Sequence, residues 1–141
     1  MNRRQPRDGA PDRGAAAVEF ALLLPIVLLI LCGIIDFGRA LNAQITLTQA
    51  AREGARLEAL GQPAATVTSR AQSAATGLSG ITVTIVSSCP AGAGPTADAQ
   101  VKASEKFSFI TPVGAIAAMF GGAGFGGPIT LTATGVMPCE T

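Results

Sequence analysis

Ala15-Ala16-Ala17-Val18-Glu19-Phe20-Ala21-Leu22-Leu23-Leu24-Pro25-Ile26-Val27-Leu28-Leu29-Ile30-Leu31-Cys32-Gly33-Ile34-Ile35 is the stretch on which this chain turns, and it carries a single charge, Glu19. As a helix at ~1.5 Å per residue it extends roughly 30 Å, the thickness of a bilayer's hydrocarbon core. The segment can therefore cross a membrane once. Ahead of it, residues 1–14 hold Arg3, Arg4, Arg7 and Arg13 against Asp8 and Asp12, and Pro6, Gly9, Pro11 and Gly14 break any regular backbone pattern. This is a basic leader. With positive charge kept on the cytoplasmic side, everything after Ile35 is expected outside.

The remaining composition agrees with a chain whose solvent is not water alone. Its 141 residues allow one domain plus a membrane segment or tail. Apolar residues are 48% and charged residues 13%, about half the usual charged share. Ten Lys and Arg against nine Asp and Glu leave a net charge of +1, which offers nucleic acid no electrostatic footing. His, Trp and Tyr are absent, so imidazole-based acid–base catalysis, His metal ligands and imidazole-dependent triads cannot be built.

Three readings of the N-terminus compete. A secretory signal peptide would follow its apolar run with small residues, but Ile35-Asp36-Phe37-Gly38-Arg39 is bulky and charged. A twin-arginine signal rests only on the isolated Arg3-Arg4 pair. A stop-transfer helix kept in the mature protein fits best, because the helical pattern continues past Asp36. Glu19 then needs a partner or an interface, since an acid deep in a bilayer costs ~2.5 to 3.5 kcal/mol. A cut between Gly14 and Ala15 would place a new α-amino group one helical turn before Glu19, with the opposite charge. Alternatively Glu19 stays hydrated at the headgroup level. Physics alone leaves both open.

Gly14-Ala15-Ala16-Ala17-Val18-Glu19-Phe20 resembles the processing site of type IV pilin-like proteins, cut after a glycine, with a glutamate fifth in the mature chain. The longer run Arg13 to Pro25, then Gly33-Ile34-Ile35-Asp36-Phe37-Gly38-Arg39, then Gln49-Ala50-Ala51-Arg52-Glu53-Gly54-Ala55-Arg56, resembles the TadE branch of the tight-adherence (Tad/Flp) pilus system. The resemblance covers Arg13 to about Leu60. It implies an inner-membrane minor pilin or pseudopilin, processed at Gly14 and Ala15 by a prepilin peptidase. The implied partners are a major Flp-type pilin, a second pseudopilin and the assembly platform. By the family pattern Glu19 helps to place a new subunit in the filament. The chemistry at Gly14 belongs to the peptidase, so the chain is its substrate and not an enzyme. Gly14 suits such a cut because, lacking Cβ, it admits close approach to its backbone.

The rest of the chain is read from pattern. Pro25 removes a backbone donor and leaves the Ala21 carbonyl unpaired, so a bend or local unwinding is expected there. Ala40, Ala43, Leu47, Ala50, Gly54 and Leu57 form a narrow stripe of small and apolar residues, suited to neighbouring helices and to the chain's own domain. Arg52, Glu53, Arg56 and Glu58 are expected on the solvated face, and Gly61 with Pro63 stops the helix. Residues 63–77 predict a second, shorter helix with Ala64, Val67, Ala71, Ala74 and Ala75 on its apolar face. After Gly80 the period becomes two, in residues 81–85, 101–109 and 129–133, which predicts a three-stranded antiparallel sheet packed on the helical part.

Cys32 lies within the span, where a thiol is a small apolar filler. Cys89 and Cys139 both follow strands that run the same way in a three-stranded meander, which places them at one end of the sheet. In an oxidising compartment a disulfide between them is expected, with two separate thiols as the alternative. Gly122-Ala123-Gly124-Phe125-Gly126-Gly127 satisfies G-x-G-x-x-G, but a dinucleotide site needs a strand before it and a helix after it, and Pro128 and a strand follow. A loop over residues 118–129, after a short helix at 112–120, is the better account. Asp98, Glu105 and Glu140 show no spacing for catalysis or metal.

The expectation is thus an α+β protein with a basic leader (1–14), a transmembrane helix (15–38), an extracytoplasmic extension of it (39–61) and an exported α+β domain (62–141). It is a single-pass inner-membrane minor pilin, with its N-terminus cytoplasmic and with no cofactor or metal. Two other classes stay in view. One is a signal-anchored envelope protein whose exported domain binds a ligand or cell-wall component. The other is a small exported enzyme, for which no catalytic constellation is found.

Overall fold

The computed structural model describes residues 12–92, 94, 96–112, 114, 115, 118, 121 and 127–140. The leader up to Pro11, residues 122–126 of the G-x-G-x-x-G lookalike at 122–127 and most of the short helix expected at 112–120 lie outside the described residues.

Helix α1 runs Asp12–Ala59, 48 residues and about 70 Å at ~1.5 Å per residue. It starts inside the expected leader, since no proline follows Pro11 until Pro25. The helix passes through Pro25 without interruption, so no local unwinding accompanies the lost Ala21 bond. Its C-terminus is closed by Gly61 at φ 66, whose amide donates to the Glu58 carbonyl at 2.9 Å while Gln62 N donates to the Leu57 carbonyl at 3.1 Å. This is a Schellman cap, and Gly61 carries it because the left-handed conformation costs glycine nothing. Helix α2, Ala64–Ala74, follows Pro63 and buries Val67 and Ala71.

Three strands, β1 (Thr82–Ser87), β2 (Asp98–Phe107) and β3 (Ile129–Pro138), form an antiparallel sheet in the order β1-β2-β3. Pairing along β2 and β3 is continuous from Asp98 opposite Pro138 to Phe107 opposite Ile129. One face of β2 turns Ala99, Val101, Ala103 and Phe107 inward, all buried, as the period of two requires. Strand β3 continues five residues beyond the reading that ended at Ala133, because Gly135 interrupts the apolar alternation without interrupting the ladder.

The sheet packs on the second half of α1. Leu47 and Ala51 meet Ala103 and Ala133, and Ala55 meets Val67 of α2 and Val101 of β2. Small side chains make this approach close. At Gly135 an added Cβ would run into the Ala51 carbonyl and come within 2.7 Å of the Arg52 nitrogen. At Gly54 it would stand 2.9 Å from a Val101 methyl.

The expected stripe is covered, with Ala43, Leu47, Ala50 and Gly54 buried, but the buried face is wider and includes Ala51, Ala55 and Ala59. One expectation is corrected here. Glu58 is not on the solvated face: it is only 7% exposed, and its Oε2 finds no hydrogen-bond partner among the described residues. Position 58 lies four residues after Gly54 and seven after Ala51, so helical periodicity turns it toward the sheet. Glu105 likewise shares the inward face of β2 with Ala103 and Phe107, and its Oε2 is buried without a partner among the described residues.

Candidate functional site

The first half of α1 carries the residues singled out for processing. Gly14 and Ala15 are exposed close to the helix start, and a Cβ added at Gly14 would meet nothing within 4 Å among the described residues beyond its own helix turn. Glu19 is exposed and has no hydrogen bond or ion pair among the described residues. Around it, Val18, Phe20, Leu22, Leu23, Ile26 and Ile30 are each at least half exposed. Such a density of bare apolar side chains has no place in water. This helix is long and apolar enough to cross a membrane once. Pro25 and Cys32 are half-buried along it, and Cys32 is a free thiol.

Where the bare half of α1 meets the folded half stands Asp36, 1% exposed. Its Oδ1 accepts from the Ile110 amide at 3.1 Å and from Arg39 Nη1 at 3.2 Å; its Oδ2 accepts from the Thr111 amide at 3.2 Å and from the Thr111 hydroxyl. The same Arg39 nitrogen donates to the Ser108 carbonyl at 3.3 Å, and the guanidinium lies 5.1 Å over the Phe107 ring. Phe107 meets Phe109 edge-to-face at 5.5 Å. One carboxylate thus satisfies two amides, a hydroxyl and a cation, and fixes the segment leaving β2 to the end of the apolar helix.

Sequence reasoning missed this joint. The signal present was an acid ending an uncharged run with an arginine three residues on. Its partners lie more than seventy positions away, and no local pattern points to them.

At the far end of the sheet Cys89 and Cys139 are bridged, with Cα atoms 5.7 Å apart. They sit just after β1 and β3, as the meander requires. The Cys139 amide donates to Ala97 O at 2.8 Å and the Glu140 amide to Ala59 O at 3.1 Å, so the same corner is tied to the end of α1.

The segment from Gly14 through Asp36 to the packed stripe coincides with a known family: residues 14–56 match the family model described as TadE-like protein. Over that segment the chain is similar to TadE-like proteins. The matched residues include the exposed Gly14 and Glu19, the Asp36–Arg39 pair and the face that receives the sheet as far as Ala55. No curated protein and no solved structure matches the chain. The TadE-like segment and the apolar helix together fit a membrane protein associated with a Tad pilus.

Proposed function

We propose that this chain is a minor pilin, or pseudopilin, of a tight-adherence pilus, cut after Gly14 by a prepilin peptidase and used in pilus assembly. The observation that carries the reading is the TadE-like match that begins at Gly14, with Glu19 fifth beyond it and both residues exposed on an apolar helix. The N-terminus lies in the cytoplasm and the sheet outside the inner membrane, the orientation favoured by the arginines of the leader. The chain is the substrate of the cut and performs no catalysis of its own. Its partners are the major Flp-type pilin, a second pseudopilin and the assembly platform.

Glu19 gives the assembly step a physical basis. A bare carboxylate in a lipid-facing helix is costly, and the α-amino group freed at Ala15 offers the opposite charge one turn away, from the same chain or its neighbour. Intact-mass measurement of the protein from native membranes tests the reading. A mature chain that begins at Ala15 is expected; a chain retaining Met1 in assembled pili would sink it.

A further inference from the structure

We propose that the segment leaving β2, Ser108–Pro112, lies in the lipid interface, so that the folded part of the protein rests on the bilayer instead of standing clear of it on a stalk. The inference rests on the membrane reading of α1 and adds a second contact to it. Three observations carry it.

The first is height. Asp36 directly follows Ile35, the end of the apolar run, and its carboxylate holds the Ile110 and Thr111 amides at 3.1 and 3.2 Å. The β2 end is therefore pinned at the level where the helix leaves the hydrocarbon. Glu19 and Asp36 stand about 26 Å apart along the helix, at ~1.5 Å per residue, close to the ~30 Å core they would bracket.

The second is surface. Ile110 is 65% exposed, as are Ile34 and Phe37 on the adjoining turns of α1. Ile34 and Phe37 carry the bare surface of the span up to the level of Asp36, where Ile110 is exposed as well. The patch is thus an extension of the membrane-facing surface.

The third is charge. Ser108–Pro112 contains no charged residue, so the segment leaving β2 brings no ion to be desolvated at the membrane. Arg39, one turn beyond Asp36 and partly exposed, stands at the height where a cation meets lipid phosphates. Asp36 itself enters the interface with its oxygens already satisfied, which removes the main cost of an acid there.

Site-directed spin labelling of the full chain in lipid nanodiscs tests this. Labels are placed at native Cys32 and, in a Cys32→Ser background with the Cys89–Cys139 bridge intact, at Ile110→Cys, Pro112→Cys and Thr96→Cys. Accessibility to oxygen, which partitions into lipid, is compared with accessibility to a water-soluble nickel chelate. The expected oxygen-to-nickel ratio at 110 and 112 is several-fold above that at 96 and below that at 32. A ratio at 110 and 112 equal to that at 96, with Cys32 in lipid, overturns the proposal and leaves the span intact. Shielding of 110 and 112 from both reagents also overturns it, since protein would then cover the patch. A water-exposed Cys32 overturns the span itself and this inference with it.

Discussion

Asp36 shows how one side chain can join two parts of a chain that their sequences do not connect. Each oxygen accepts a backbone amide and a second donor, so the carboxylate is both satisfied and immobile. Asparagine could not replace it, because whichever way its side chain turned, the NH2 would face one of the two backbone amides, Ile110 or Thr111, donor against donor. Alanine would leave both amides and the Thr111 hydroxyl without their acceptor. In Asp36→Ala, hydrogen exchange at the amides of Ile110 and Thr111 should therefore rise several-fold, while those of Val101 and Ala103 in the centre of β2 keep their protection. Unchanged exchange at 110 and 111 would show that the carboxylate does not hold the segment.

At the scale of elements, the junction of α1 with the sheet depends on two missing methyl groups, and they are not equivalent. At Gly135 an alanine would meet the backbone of Ala51 and Arg52, which cannot move without shifting the helix. Overpacking of that kind costs about 3 kcal/mol. At Gly54 the obstacles are side chains and not backbone, a Val101 methyl at 2.9 Å and the Ala71 Cβ at 3.3 Å, and replacing a mid-helix glycine by alanine returns about 1 kcal/mol of helix propensity against them. Thermal unfolding should thus place Gly135→Ala well below the parent and Gly54→Ala within about 1 kcal/mol of it. A Gly135→Ala midpoint equal to the parent's would mean that the sheet does not press on the helix at Gly135. Periodicity revealed these elements because the stripe Ala43, Leu47, Ala50, Gly54 and the alternation Val101, Ala103, Phe107 each repeat at the spacing of their own backbone. The same spacing puts Glu58 and Glu105 on the covered faces, but their residue type argued for solvent, and position won.

For the molecule as a whole, the chain is closed at both ends of the sheet by different chemistry. Asp36 secures the end beside the apolar helix, and the Cys89–Cys139 bridge with the Glu140–Ala59 hydrogen bond secures the other. The bridge was legible because two cysteines followed strands of the same direction; Asp36 was not, because hydrogen bonds to backbone amides leave no mark in the side-chain sequence. The core between these fastenings is built mostly from alanine, with Leu47, Val67 and Val101 the only large apolar side chains that are fully buried among the described residues. Alanine buries little area, so this core contributes less hydrophobic stabilisation than its residue count suggests. A cross-link spanning 50 positions removes much of the freedom of the unfolded chain and contributes roughly 4 kcal/mol at most in the loop-entropy account. For a domain whose total stability is about 5 to 15 kcal/mol, that is a large share. Cys89→Ser with Cys139→Ser, or reduction of the parent, should therefore lower the unfolding midpoint of the α+β part by well over ten degrees, at about 4 to 8 °C per kcal/mol. The helical signal of residues 14–35 should persist through that transition, since in lipid a helix satisfies its own backbone hydrogen bonds. A midpoint that reduction leaves unchanged would mean that the alanine-lined contact between α1 and the sheet is sufficient by itself.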